Sequence, residues 1–459
     1  MRKLTQIALS LALVCGASHA ADDALMKKGE YLAVASDCTA CHTAEHGQPF
    51  AGGRSIASPV GEIIATNITP SKSAGIGSYS EQQFSAALRQ GVRADGARLY
   101  PAMPYTAYAT LTDEDVHALY AYFMSGVKPV DNTTAATHLP FPLNLRFSMM
   151  FWNALFLNAP GYVPDASQSA RWNRGRYLVD GAAHCSTCHT PRGFLMQEMQ
   201  GDAFTGAQVG SWFAPNITAN RMNGIGEWSQ QDLIAYLKTG RLAGKAQAAG
   251  SMAEAITHSF QHLSEEDLAA IAEYMGSVED SHAPASGASR FSQGNAASYL
   301  AALRGEPYSA PVSDEGARLF SGNCASCHGS SGQGTHDAFY PSLFHNSATA
   351  EKNPSNLIAA ILFGVQRQTA EGDVFMPPFG AQPNALNHLD DHQVATLSSW
   401  IMQRYGKAEV TVLPQQVAEI RRGGPSSSLV MLAQAGVGAG TLAAIALLVW
   451  LMVRRKYRR

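Results

Sequence analysis

The sequence predicts a mainly α-helical protein made of three small domains in tandem followed by one C-terminal transmembrane helix. Three observations predict it. The pattern Cys-x-x-Cys-His occurs three times, at Cys38 to His42, Cys185 to His189 and Cys324 to His328. Short segments around the first two copies recur in the same order. A nearly unbroken apolar stretch runs from Leu429 to Val453.

The cysteine pattern marks covalent attachment of a c-type haem. Two thiols three residues apart on one helical turn can form thioethers to the two vinyl groups, and the adjacent His then lies under the iron as proximal ligand. Cys38, Cys41, Cys185, Cys188, Cys324 and Cys327 are therefore the attachment residues, and His42, His189 and His328 the proximal ligands. Three covalently bound haem c groups are expected, one in each of three cytochrome c-type domains. Six of the seven cysteines sit in the motifs, and the seventh, Cys15, lies in a segment expected to be removed. A structural zinc site needs two such pairs close together, and these motifs stand far apart. A thioredoxin-like pair does not explain a His after every copy.

Residues 1–20 have a charged start at Arg2 and Lys3, an apolar middle from Ile7 to Val14 and a small-residue cleavage site at Ser18-His19-Ala20. That order is a secretory signal peptide. Its apolar run is too short to cross a hydrocarbon core of about 30 Å. The stretch from Leu429 to Val453 is long enough, with Gln434 its most polar member. The cluster Arg454-Arg455-Lys456-Tyr457-Arg458-Arg459 follows it at once. By the positive-inside rule that tail is cytoplasmic, which puts the haem domains on the periplasmic side of a single-pass inner-membrane protein. Gly436, Gly438 and Gly440 are read as ordinary residues of a membrane helix. With 33 basic and 36 acidic residues the net charge is −3, which argues against a nucleic-acid partner.

An internal repeat orders the body of the chain. Gly29-Glu30-Tyr31-Leu32 precedes the first motif as Gly175-Arg176-Tyr177-Leu178 precedes the second. Asn67-Ile68-Thr69 recurs as Asn216-Ile217-Thr218, Gly75-Ile76-Gly77 as Gly224-Ile225-Gly226, and Gly91 as Gly240, at an offset of 149. Each domain is expected to close with a capped amphipathic helix, starting at Thr112 with Asp115, at Ser264 with Asp267, and at Asp390 with Gln393. The expected division is a signal peptide at 1–20, domains at 21–127, 171–277 and 312–406, linkers at 128–170 and 278–311, a juxtamembrane linker at 407–428, the span at 429–453 and the basic tail at 454–459. The apolar run from Leu143 to Leu157 is expected to be a helix buried between the first two domains, the rival reading being an exposed apolar patch that docks on a partner subunit or the membrane surface.

The sixth ligand sets what each haem can do, because a Met sulfur fills the iron and raises its potential whereas an open position invites chemistry there. Met103, in Tyr100-Pro101-Ala102-Met103-Pro104, stands in a Pro-flanked segment ahead of the first closing helix, and Met376 holds the same place in the third domain. In the second domain the repeat offset carries Met103 onto Met252. His258 and His262 are the rival ligands there.

Together these segments resemble the membrane-bound tri-haem cytochrome c subunits of bacterial periplasmic dehydrogenases, the group serving gluconate, fructose, sorbitol and quinoprotein alcohol dehydrogenases. The resemblance rests on Cys38 to Thr43, Ala65 to Pro70, Tyr100 to Tyr105, Cys188 to Gly193 and Met252 to Glu254, and it covers nearly all of the mature chain. It implies a large catalytic subunit with flavin or pyrroloquinoline quinone, in some members a small third subunit, and delivery of electrons to membrane ubiquinone. No dinucleotide fingerprint and no second metal cluster stands beside the haem motifs. No substrate-oxidising site of its own is expected. The competing readings are the cytochrome subunit of another respiratory complex, or a catalytic multihaem enzyme with one open iron.

Overall fold

The structure, a computed structural model, describes residues 22–158, 161–280, 282, 287–300 and 314–457. The expected signal peptide with Cys15, part of the second linker and the last two residues of the basic tail lie outside these. The first domain comprises α1 (22–35), α2 (Cys38–His42), the hairpin β1 (Ser55–Ser58) and β2 (Gly61–Ile64), α3 (Glu81–Gln90), α4 (Tyr105–Tyr108) and α5 (Asp113–Ala121). After α6 (Ser148–Phe156), the second domain follows as α7 (Ala170–Tyr177), α8 (Ser186–His189), β3 (Ala207–Val209), β4 (Trp212–Ala214), α9 (Gln230–Thr239), β5 (Arg241–Leu242), β6 (Ala246–Gln247), α10 (Gly250–His258) and α11 (Glu265–Met275). The third has α12 (Glu315–Asn323), α13 (Ala325–His328), α14 (Ser347–Ala350), α15 (Ser355–Phe363), the hairpin β7 (Val365–Thr369) and β8 (Gly372–Met376), and α16 (Asp391–Tyr405). Two helices end the chain, α17 (Pro414–Arg421) and α18 (Leu429–Lys456).

The closing helices start where the capping residues stand. Thr112 and Ser264 accept from the amides of Asp115 and Asp267, and Asp390 forms a reciprocal box with Gln393. Each cap satisfies an amide that the first helical turn leaves without a partner. In all three domains the first helix crosses the closing helix at a glycine. A Cβ on Gly29 would stand 2.1 Å from the Ala118 carbonyl oxygen, one on Gly175 2.0 Å from that of Ala270, and one on Gly316 2.5 Å from Trp400 Cβ. Only glycine permits backbones this close.

The duplication is exact in design but not in spacing. The offset is 146 at Gly29 and Gly175, 147 at the cysteines, 149 from Asn67 to Gly91 and 152 at the caps Thr112 and Ser264. The value of 149 holds into the segment before the methionines, where Leu99 N–H donates to Gly91 O and Ala248 N–H to Gly240 O, both at 2.8 Å. The last three inserted residues therefore fall between Ala248 and Ser264.

The two duplicates share one continuous apolar core, which runs from Leu32 and Phe123 through Leu178 to Leu268 and Met275. Their contact is reciprocal. Tyr31 of α1 donates its hydroxyl to Asp267 of α11 at 2.6 Å, and Tyr177 of α7 donates to Asp115 of α5 at 2.5 Å. The amides of Ser264 and Thr112 donate back to those same tyrosine oxygens, each at 3.2 Å. Equivalent residues thus exchange equivalent bonds, the signature of a two-fold contact.

The third domain has a separate core built on Phe320, Ile358, Leu397 and Tyr405, against which Trp212 of the second domain packs. Arg367 of β7, 1 % exposed, crosses to the second domain and donates to Thr239 O at 2.9 Å, Ala248 O at 2.7 Å and Gln247 Oε1 at 3.0 Å. Asn356 adds a paired contact, accepting from Phe213 N–H at 2.9 Å and donating to Phe213 O at 2.8 Å.

The run from Leu143 to Leu157 departs from expectation. It forms α6, but its apolar side faces outward, with Phe147, Met150, Phe151 and Leu155 exposed. The inward side is seated by polar bonds, Asn153 to Tyr105 and Gln90 and Trp152 to the Leu195 carbonyl. A short helix lying across the two domains covers them with one face only. Finally, α18 is long and apolar enough to cross a membrane, and none of it is buried.

Candidate haem sites

Each attachment segment is a single helical turn, α2, α8 or α13, that ends at the proximal His candidate. The three histidines are held alike. His42 Nδ1 pairs with Thr66 O at 2.7 Å, His189 Nδ1 with Pro215 O at 2.7 Å and His328 Nδ1 with Pro341 O at 2.9 Å. A carbonyl can only accept, so Nδ1 carries the hydrogen and Nε2 keeps a free lone pair. That is the outer-sphere bond that orients a metal-ligating imidazole and raises its basicity. Burial lowers the pKa of all three, that of His189 to about 4, so each ring is neutral and able to ligate.

The backbone beneath each His is fixed in the same way. Its carbonyl accepts from Gly52, Gly206 or Gly334, in each case at 2.8 Å. These glycines have φ of 69°, 101° and 67°, and a Cβ on Gly334 would stand 2.2 Å from Tyr340 O. The position therefore demands glycine for both its dihedral and its space.

The carbonyl partners are residues that motif reasoning did not single out. A signal was present, because Thr66 and Pro215 immediately precede the repeated Asn-Ile-Thr. In that tripeptide Asn67 Oδ1 accepts from Thr69 N–H at 2.8 Å and Thr69 Oγ1 at 2.7 Å, and Asn216 and Thr218 repeat both distances. The repeat is a turn that aims the preceding carbonyl at the histidine. The third domain achieves the same with Pro341 and no such tripeptide.

The six thiols of the described residues form no disulfide. Burial pushes Cys38, Cys185 and Cys324 up to about 12, so they are neutral thiols in apolar surroundings. Among the described residues no three His, Cys, Asp or Glu side chains converge as a metal-ion site. Paired thiols, a neutral oriented imidazole and an apolar lining fit a covalently attached haem.

The three methionines stand in different local structures. Met103 lies in a turn, its amide donating to Tyr100 O at 3.1 Å, and Met252 lies in the first turn of α10. Both are half-buried against the shared core. Met376 is the last residue of β8, paired with Val365 and half-buried against the third-domain core. The rival ligands of the second domain, His258 and His262, are both exposed, and His262 Nε2 is paired with Thr257 O at 3.1 Å.

The first two attachment segments face one another. Tyr108 donates to Ser36 O at 2.8 Å and packs edge-on against His184, which directly precedes Cys185. Arg54 and Glu254 pair across the same junction at 2.7 Å. Beside them burial pushes the Asp37 carboxyl up to about 8, with Glu254 adding to the shift. Arg367 ties the third domain to the second next to its methionine segment, since its acceptor Ala248 is four residues before Met252.

Comparison with known proteins agrees with this architecture. Residues 26–126, 173–279 and 313–404 each match the cytochrome c family. The chain is 48 % identical over 448 residues to the fructose dehydrogenase cytochrome subunit of Gluconobacter japonicus, covering 94 % of this chain and 92 % of that one. It is 38 % identical over 443 residues to the cytochrome c subunit of the quinone alcohol dehydrogenase of Gluconobacter oxydans (strain 621H), covering 90 % and 86 %. It is also 38 % identical over 432 residues to the gluconate 2-dehydrogenase cytochrome c subunit of Pantoea cypripedii, covering 90 % and 94 %. With three family matches on three equivalently built sites, the chain belongs to the cytochrome c family and carries three c-type haems.

Proposed function

We propose that this chain is the tri-haem electron-transfer subunit of a membrane-bound dehydrogenase. It takes electrons from the flavin or quinone cofactor of a large catalytic partner that oxidises a sugar, sugar acid or alcohol, and it delivers them to ubiquinone. The observation that carries this reading is the threefold recurrence of one clamp, in which a backbone carbonyl fixes Nδ1 of the His that ends each attachment turn. Its relatives are named as cytochrome subunits of such dehydrogenases.

In this reading domains 21–127, 171–277 and 312–406 each hold one haem. Cys38 and Cys41, Cys185 and Cys188, and Cys324 and Cys327 would attach them, His42, His189 and His328 would each supply one iron ligand, and Met103, Met252 and Met376 would supply a second. The exposure of His258 and His262 supports Met252. A bound haem supplies reversible one-electron chemistry. The chain's own residues hold each imidazole neutral and oriented, exclude water with apolar cores and keep the first two sites adjacent. With a His and a Met supplied to each haem, no iron would be left open to substrate, which favours a relay over a multihaem enzyme. α18 anchors the chain, with Arg454, Arg455 and Lys456 on the cytoplasmic side and the haem domains in the periplasm.

Purification from membranes tests this: a large flavin or quinone dehydrogenase should co-purify, and mass measurement should show three haem additions. Met252→Leu should remove sulfur ligation from one haem and lower its potential while the other two spectra persist. Co-purification with a copper-haem oxidase, or carbon monoxide binding to the reduced native protein, would overturn the proposal.

A further inference from the structure

The helix α6 is built inside out. Its one buried residue is polar, Asn153, held between Tyr105 and Gln90. Phe147, Met150, Phe151, Ala154 and Leu155, at i, i+3, i+4, i+7 and i+8, form one exposed apolar stripe. Phe147, Phe151 and Leu155 are 62 %, 60 % and 70 % exposed. No residue from Phe147 to Leu157 is charged. The adjacent Arg146 is turned back onto the protein, donating to Arg98 O at 2.8 Å with its guanidinium 4.5 Å over the Tyr100 ring. Two more exposed phenylalanines lie near it: Phe141, joined to α6 by successive turns, and Phe194, the neighbour of Leu195 whose carbonyl accepts from Trp152. Soluble proteins rarely leave such a contiguous apolar stripe uncovered, and where they do it marks an interaction surface.

The position of α18 says what covers it. Gln434 Nε2 donates to Phe141 O at 3.0 Å. Gln434 is about 8 Å along the helix from Leu429, at 1.5 Å per residue. The apolar stretch from Leu429 to Val453 is about 37 Å long against a hydrocarbon core of about 30 Å. Its first turns therefore stand in the interfacial layer, and Phe141 stands beside them. We infer that the exposed face of α6 docks on the membrane itself, lying in the headgroup and upper acyl region beside the point where α18 enters. This inference rests on the proposed reading of α18 as a span. An uncharged stripe gains nothing from anionic lipid, so its adsorption comes from apolar burial and from the high local concentration that the tether supplies. Docking has a further consequence inside the chain. α6 and its approach grip Arg98, Tyr100 and Tyr105, on both sides of Met103. The Met103 segment is thereby held at the membrane surface, where a lipid-soluble electron acceptor resides.

The test uses the full chain in its complex, embedded in nanodiscs of phosphatidylethanolamine and phosphatidylglycerol. Apart from Cys15 of the expected signal peptide, every cysteine of this chain is in an attachment motif, so the chain is labelled at one introduced cysteine before it is combined with its partner. Spin labels at Phe151→Cys and Leu155→Cys are compared with Ala443→Cys in the middle of α18 and Leu386→Cys, an exposed apolar site in the third domain. Labels on α6 should shift toward the oxygen-accessible, nickel-chelate-protected behaviour of position 443 and away from that of position 386. Nickel accessibility on α6 with a protected position 443 overturns the inference and leaves the span intact. Protection of α6 from both reagents overturns it in favour of a protein cover. Nickel accessibility at position 443 overturns the span and the α6 inference together.

Discussion

Tyr31 and Tyr177 reach in opposite directions to Asp267 and Asp115, so the first two domains use one surface twice. The third domain meets the second through Arg367, Asn356 and Trp212, and among the described residues no second-domain arginine returns the contact that Arg367 makes. The first contact is isologous and sits on a single continuous core, whereas the second is heterologous and joins two cores. A duplicated domain finds its twin with a surface it already has. A further copy must use a different face, here the hairpin β7–β8 laid against the segment before Met252. The pair should therefore behave as one cooperative unit and the third domain as a neighbour.

The largest expected effect comes from splitting the second domain at its own helix crossing, inside the core that it shares with the first. Gly175→Val puts a branched side chain where a single Cβ already falls 2.0 Å from the Ala270 carbonyl oxygen. We predict a loss of about 3 kcal/mol or more. Because the core is shared, protease protection should fall in both the first and second domains. Gly316→Val should damage only the third. Unchanged protection of the first domain in the Gly175 variant would break the idea of a common unit.

A smaller effect is expected at the other interface. Arg367→Met keeps the apolar stem but leaves the carbonyls of Thr239 and Ala248 without their donor, at a cost of about 2–3 kcal/mol. Urea unfolding followed by the spectrum of each haem should show the third domain separating earlier while the pair keeps its midpoint. A lowered midpoint for all three haems would mean that the two cores unfold together.

What the sequence made legible follows the reach of each interaction. The caps at Thr112, Ser264 and Asp390 involve residues three apart, and they appear where they were read. The attachment turns are equally local. Arg367 could not be read, because its partners lie more than a hundred residues away and nothing near it distinguishes it from a surface arginine. The clamp on each His was half legible, since the repeated Asn-Ile-Thr marked the place but not the carbonyl before it. The methionines are assigned by position, yet a turn, a helix and a strand end carry them, so position and local structure are separate questions. α6 was misread because an apolar run tells that a face must be covered and not by what. Asn153 alone on the opposite side was the available clue.

The finest test of the comparison uses pH, because one interface titrates and the Arg367 contact does not. Asp267 accepts from Tyr31 at 2.6 Å and from Arg174 at 2.7 and 2.8 Å. Burial alone would raise its carboxyl, but the bonds from Arg174 and Tyr31 outweigh it and hold the pKa below the usual value of 3.8. A depressed carboxylate contributes stability that is complete above the unfolded pKa, about 3.9, and is lost as pH falls through the folded value. The pair should therefore weaken below about pH 4. The acceptors of Arg367 are two carbonyls and an amide, which do not ionise in that range. Asp267→Asn removes the charge while keeping an acceptor for Tyr31. Its urea midpoint for the first two domains should lie below that of the native protein at pH 6, and the gap should close as pH falls toward 3. The expected gap at pH 6 is about 1.5 kcal/mol, the contribution of a hydrogen-bonded charge. A gap that stays constant across this range would show that the reciprocal contact holds through shape alone.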